Sequence, residues 1–147
     1  MKSATLIGRV LVVFFCLSFF HGFSQSKNTL HLDVIKNYGI KLDGGCSYFT
    51  LDSIPIESNN FIFIVSSKDI GFFTINNKNV YLKRTKRNRL NKDQYTDIFL
   101  GNDYEVRLKI KKVGKFDDYY SLFQGTLQVK QNDKECLLKI HGKVGEL

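Results

Sequence analysis

Proline occurs once in these 147 residues, at Pro55, tryptophan is missing, and neither an internal repeat nor a low-complexity tract is present. One proline leaves almost nothing to interrupt a strand or to mark a rigid linker. There is no Gly-x-Ser-x-Gly elbow and no glycine-rich phosphate loop. His31 and His141 lie far apart and lack the paired spacing of zinc ligands. These absences leave no catalytic residue, metal ligand or cofactor site to name, and the chain reads as non-enzymatic. Long apolar runs are scarce as well: there is one, at the N-terminus.

That run, Val-Leu-Val-Val-Phe-Phe-Cys-Leu-Ser-Phe-Phe over residues 10–20, follows Lys2 and Arg9 and precedes Gly22, Ser24, Gln25 and Ser26. It is shorter than the ~20 apolar residues that cross a bilayer, and small residues stand where a signal peptidase cuts. The pattern predicts a cleaved signal peptide over residues 1–24 and export to the periplasm, cell surface or extracellular space. An uncleaved anchor is the competing reading. Cys16 lies inside the run behind Phe14 and Phe15, without the small preceding residue an acylated cysteine needs. Residues 25–37 read as a short tether or short helix. Residues 38–147 are enough for one small domain and too few for two.

Removing the signal leaves Cys46 and Cys136, an even pair in a chain bound for an oxidising compartment, and this predicts a disulfide between them. Closing a loop of roughly 90 residues would stabilise the fold by about 4 to 5 kcal/mol in the chain-entropy model. The alternative is two separate thiols, with Cys46 a nucleophile assisted by His31 or His141, although no Cys-His signature surrounds either cysteine.

The periodicity is that of strands. Over residues 104–112, Val106, Leu108 and Ile110 alternate with Arg107, Lys109 and Lys111, which buries one face and lines the other with cations. Residues 126–130 repeat the pattern, and the apolar run at 61–65 has the length of a strand covered on both faces. Further strands are expected over 70–75, 79–83, 95–100, 119–123 and 135–141. Asn76-Asn77-Lys78-Asn79 and Gln131-Asn132-Asp133-Lys134 stand between them as hairpin connectors, since asparagine tolerates the left-handed conformation, and Gly101-Asn102-Asp103 opens the strand at Tyr104. Seven or eight short strands with such turns predict an all-β fold, a small antiparallel β-sandwich or barrel.

The chain carries 22 Lys plus Arg against 14 Asp plus Glu, formally +8, and loss of Lys2 and Arg9 with the signal lowers this to +6. The densest cluster is Lys83, Arg84, Lys86, Arg87, Arg89 and Lys92, with no acid among them. Like charges so close repel one another, so the segment reads as a solvated loop between strands. Arginine forks pair with phosphate oxygens, and Arg107, Lys109 and Lys111 would extend the surface if they face the same way. Tyr81 and Tyr95 flank the run and would stack on bases or sugars. The candidate partners are anionic polysaccharide, lipopolysaccharide, lipid headgroups or nucleic acid, with solubility alone as the competing explanation. Asp117-Asp118 before Tyr119-Tyr120 reads as a polar turn in preference to a calcium site.

A small exported β-domain with Cys46 near its start, Cys136 near its end and the strands Gly71-Phe72-Phe73-Thr74-Ile75, Val80-Tyr81-Leu82 and Tyr104-Glu105-Val106-Arg107-Leu108 resembles the periplasmic lysozyme inhibitors of the MliC type. The resemblance covers residues 71–136 and implies a compact β-barrel that blocks an enzyme cleft. Charge departs from it, because c-type lysozymes are themselves basic and would repel a +6 partner. No inhibitory residue is carried over. The favoured expectation is an exported binding or structural domain presenting a cationic segment. An inhibitor or immunity-type protein acting on a secreted or cell-wall enzyme is the alternative, followed by a hydrolase with a scattered site.

Overall fold

The computed structural model describes residues 29–145, so the signal peptide expected over residues 1–24 lies outside the described residues. Eight antiparallel strands form a closed barrel in sequence order: β1 (Ser47–Leu51), β2 (Phe63–Val65), β3 (Ile70–Ile75), β4 (Lys78–Asn91), β5 (Gln94–Gly101), β6 (Tyr104–Lys115), β7 (Tyr120–Gln131) and β8 (Lys134–Gly145). Closure comes from β1 against β8, with Ser47 opposite Val144 and Leu51 opposite Ile140. That pairing decides between barrel and sandwich. β1 itself has no counterpart among the strands expected from sequence.

Three hairpins at one end have two-residue turns. Asn76 and Asn77 both have positive φ (50° and 59°), as do Asn102 and Asp103 (51° and 63°), and Asn132 has φ 52°. Left-handed pairs twist in the sense the strands require, which is why asparagine and aspartate occupy these turns. Gly125 and Gly142 permit close strand approach: a Cβ at either would fall 1.9 Å from the Lys109 carbonyl oxygen or 2.2 Å from that of Tyr48. No side chain fits at these corners of the barrel.

The interior is filled with side chains. Phe49, Phe63, Phe73, Phe99, Leu82, Val106, Leu108, Ile110, Leu127 and Ile140 are buried in one cluster, and Phe63 meets Phe99 edge to face at 5.4 Å. Truncating Phe99 to alanine would cost about 3 to 5 kcal/mol. Apolar inside and cationic on much of its outside, the barrel is the reverse of one that sits in lipid.

Residues 29–37 contain no helix. They run over the turn-bearing end, where the Asp33 N–H donates to the Thr74 carbonyl (2.8 Å) and the Ile35 N–H to that of Phe61 (2.8 Å). Leu30 joins the interior cluster, so this end is capped by the chain's own N-terminal segment. The opposite end is open.

The two sides of the barrel differ. β2 is short and pairs with β1 and β3 over only a few residues. Outside that seam lies a second apolar layer in which Ile35, Ile56 and Phe61 cover Ile64 and Phe72. Lys143 completes it, its ammonium 5.1 to 6.0 Å from the ring centres of Tyr48, Phe61, Phe116 and Tyr120. The strands from β4 to β8 are longer, and from the second half of β4 through β6 no other segment covers the outer face.

Two sequence expectations are corrected. Residues 83–91 are the second half of β4, leaving only Lys92 in a turn, so the cationic segment is not a loop. Cys46 and Cys136 are free and buried. The Cys46 carbonyl accepts from the Gly145 N–H (3.2 Å), whereas Cys136 lies nine residues earlier on the same β8. At about 3.3 Å per residue that places them roughly 30 Å apart, against the ~7 Å between Cα atoms that a disulfide spans. An even count identified a pair; topology sends its members to opposite ends.

Candidate functional site

β4 does not alternate regularly. Arg84 pairs with Phe99 and Lys86 with Ile98, which leaves Thr85 as an extra residue in the ladder, its hydroxyl donating to the Ile98 carbonyl (3.2 Å). This bulge resets the phase, so that Arg84 and Arg87, three positions apart, both turn inward while Lys83 and Lys86 stay outside. A strictly alternating strand would have sent one arginine out.

Inside the open mouth both arginines meet Asp97 of β5, whose exposure is 1 %. Arg87 grips it with two bonds, Nε to Oδ1 and a terminal nitrogen to Oδ2, both 2.6 Å; Arg84 adds a third at 3.2 Å. Arg84 also pairs with Asp69 from the β2–β3 turn. The Arg87 guanidinium lies 4.1 Å from the centre of the Tyr95 ring. Its hydrogen bonds to Asp97 raise its pKa above the ordinary arginine value despite burial, which favours the neutral form. Burial pushes the Tyr95 phenol up, with Arg87 opposing. The network surrounds a cup of about 120 Å³ that Ser47, Ser66 and Val144 also line. Two guanidinium groups against two carboxylates leave this cup without net charge.

The outer wall is the opposite case. Cross-strand register aligns Lys86, Ile98 and Arg107 in one row, then Asn88, Thr96 and Lys109, then Gln94 and Lys111. Between the first and last of these rows no carboxylate points outward. Glu105 and Glu135 lie further toward the capped end, and each is paired, with Arg107 (2.6 Å) and with Lys130 (3.7 Å). Lys83, Lys86, Lys109 and Lys111 are exposed and in no ion pair among the described residues. Lys139 extends the middle row through Thr126.

The predicted cluster therefore divides. Lys83, Lys86, Arg89 and Lys92 are exposed; Arg84 and Arg87 are withdrawn into the mouth. Arg107, Lys109 and Lys111 do share the face of Lys83 and Lys86. The flanking tyrosines do not: Tyr95 is buried inside, and Tyr81 packs on Phe72 at 5.4 Å while its hydroxyl donates to the Tyr38 carbonyl. Asp97 escaped sequence reading because a lone acid in an alternating segment looks solvent-facing. Its signal was its place between Tyr95 and Phe99, both of which share its inward phase.

The scattered nucleophile is not assembled. His141 stands opposite Thr50, four residues and about 13 Å along β1 from Cys46, and its Nε2 lies 2.6 Å from the Ile54 carbonyl oxygen. Burial raises the Cys136 thiol pKa, which disfavours the reactive thiolate. Asp117 Oδ1 accepts from the N–H groups of Tyr119 and Tyr120 (2.8 Å each), and Asp118 pairs with Lys115 (2.8 Å), so both carboxylates serve a turn. No family model, no curated protein and no solved structure matches the chain. The similarity to lysozyme inhibitors gains nothing from those comparisons, and geometry carries the functional argument.

Proposed function

We propose that this chain is an exported, non-enzymatic binding domain that holds an anionic polymer against the outer wall of β4, β5 and β6. The observation that carries this reading is the register: Lys86, Lys109 and Lys111 flank a β5 face with no charge, and no acid faces outward between their rows. Lys83, one row further on, is in no ion pair among the described residues because Glu105 of its own row is held by Arg107. A single exposed ion pair contributes only about 0 to 1 kcal/mol, so affinity here is multivalent. It is also salt-sensitive, because exposed charges are screened beyond about 8 Å at physiological ionic strength. The test is retention on immobilised heparin across a salt gradient. Replacing Lys83, Lys86, Lys109 and Lys111 together with serine is expected to move elution to markedly lower salt without changing thermal stability. Unchanged elution would leave the cations as a solubility feature.

A second reading, a blocker of a secreted or cell-wall enzyme, draws on the ends of two hairpins beside the open mouth. Leu90 and Tyr119 are each 75 % exposed there, with Val113 and Phe116 also exposed. Apolar tips of this kind fit clefts, and the net charge favours an acidic enzyme. Loss of inhibition on replacing Tyr119 and Val113 with serine, with heparin retention intact, would favour it.

A further inference from the structure

Over β5 the cationic wall is not flat. A depression of about 290 Å³ opens toward the mouth end, lined by Asn88, Arg89 and Leu90 from β4, Gln94, Tyr95 and Thr96 from β5, and Lys109 from β6. Asn88, Thr96 and Lys109 are direct cross-strand partners, so the floor is one row of the sheet. Its volume falls at the small end of ligand pockets, which begin near about 300 Å³, and suits a single ring-sized unit.

The lining has a definite chemistry. Two amides and a hydroxyl, from Asn88, Gln94 and Thr96, both donate and accept hydrogen bonds, as the hydroxyls of a sugar require. Leu90, 75 % exposed, offers an apolar contact at the edge. Lys109 stands on the β6 side of the row and supplies a cation for a carboxylate or sulfate; Arg89, in register with the inward-facing Tyr95, borders the depression from the mouth edge. The one aromatic residue at the depression, Tyr95, is buried with its ring against Phe123 and Arg87 on the inner side, and none of the residues facing outward on β4, β5 and β6 between Lys83 and Lys111 is aromatic. Proteins that bind single-stranded nucleic acid stack bases on such rings, and this face has no platform for them.

We infer that the depression at Asn88, Thr96 and Lys109 seats one sugar unit of an acidic polysaccharide, whose chain continues along β5 between the cations of β4 and β6. This rests on the anionic-polymer reading above and gives that polymer its class. Charge alone would hold any polyanion equally; a sugar subsite discriminates.

The test uses calorimetric titration at one fixed salt concentration with two probes of matched charge, an oligogalacturonate and a single-stranded oligonucleotide. Thr96→Phe fills the depression without removing a cation, and Asn88→Ala removes a hydrogen-bonding group without adding bulk. The parent is expected to bind the oligogalacturonate more tightly than the oligonucleotide. Thr96→Phe is expected to weaken the oligogalacturonate about tenfold, the worth of roughly one net hydrogen bond, and not to weaken the oligonucleotide, for which the added ring is a stacking surface. Asn88→Ala should lose several-fold in the same selective way, and it decides the matter if Thr96→Phe does not fold. Equal affinity for both probes, or no selective loss in a folded variant, would overturn the sugar subsite while leaving the polymer-binding face in place. Binding of neither probe by the parent would overturn both.

Discussion

The two faces of β4 carry the same kind of residue to opposite ends. Arg84 and Arg87 face inward and are consumed by Asp97 and Asp69; Lys83 and Lys86 face outward and are in no ion pair among the described residues, the nearby Glu105 being held by Arg107. A count of positive charge treats the four as equivalent. Their role is set by phase along the strand, which the Thr85 bulge controls, and by whether a carboxylate waits on that side. The residue types suit the division. Arginine's fork matches a buried carboxylate with two parallel bonds, whereas lysine is a flexible point charge for solvated anions.

Breaking the inner face should have the largest effect. Arg87→Ala leaves the Asp97 carboxylate in a nearly dry site with one remaining arginine, and removal of one partner of a buried pair costs about 3 to 5 kcal/mol. Urea denaturation should show that loss as a lower midpoint. A variant as stable as the parent would mean that water replaces the guanidinium in the mouth at no cost. On the outer face the ranking reverses: each of Lys83, Lys86, Lys109 and Lys111 changed singly to serine should shift stability by less than about 0.5 kcal/mol, while heparin elution falls stepwise with each charge removed.

Alkaline pH sharpens the contrast through the tyrosines. Burial raises the folded-state pKa values of Tyr48, Tyr95 and Tyr120 above the ordinary value near 10. In the unfolded chain they ionise first, so above about pH 10 the unfolded state binds fewer protons than the folded one and stability falls as pH rises. Tyr95→Phe should flatten that decline, measured as thermal midpoint between pH 9 and 11. An equally steep fall in the variant would remove Tyr95 from the account.

The smallest expected effect concerns the cysteines. Two thiols should label per chain after denaturation without reductant, and adding reductant should leave the melting temperature where it was. No labelled thiol in the chain without residues 1–24 would mean that a bond forms across the barrel's length, contrary to the register of β8.

Much of the barrel was legible from sequence where its inward residues are apolar, β1 with its buried Phe49 excepted. Ile70–Ile75 was read with its ends intact, and Val106, Leu108 and Ile110 announced β6 by alternation. The second half of β4 was not legible, because its inward positions are arginines and a bulge breaks the period of two. The tyrosines beside the cationic run misled for a related reason: adjacency in sequence says nothing about which side of a wall a ring occupies. The alignment of Lys86 with Arg107, and of Asn88 with Lys109, is a product of β4–β5–β6 pairing and has no local signature. Cysteine parity failed for the same cause, since counting residues does not register where a closed barrel sends them.

The central claim is that anions are held on the outer wall and not in the mouth. Backbone amide shifts recorded during titration of the labelled protein with an oligogalacturonate test it most directly. The account predicts perturbations centred on Lys86, Asn88, Thr96, Ile98, Lys109 and Lys111, with Ser66, Asp69, Phe116 and Tyr119 unmoved. Shifts confined to the mouth and the hairpin ends, with the outer rows silent, would contradict it.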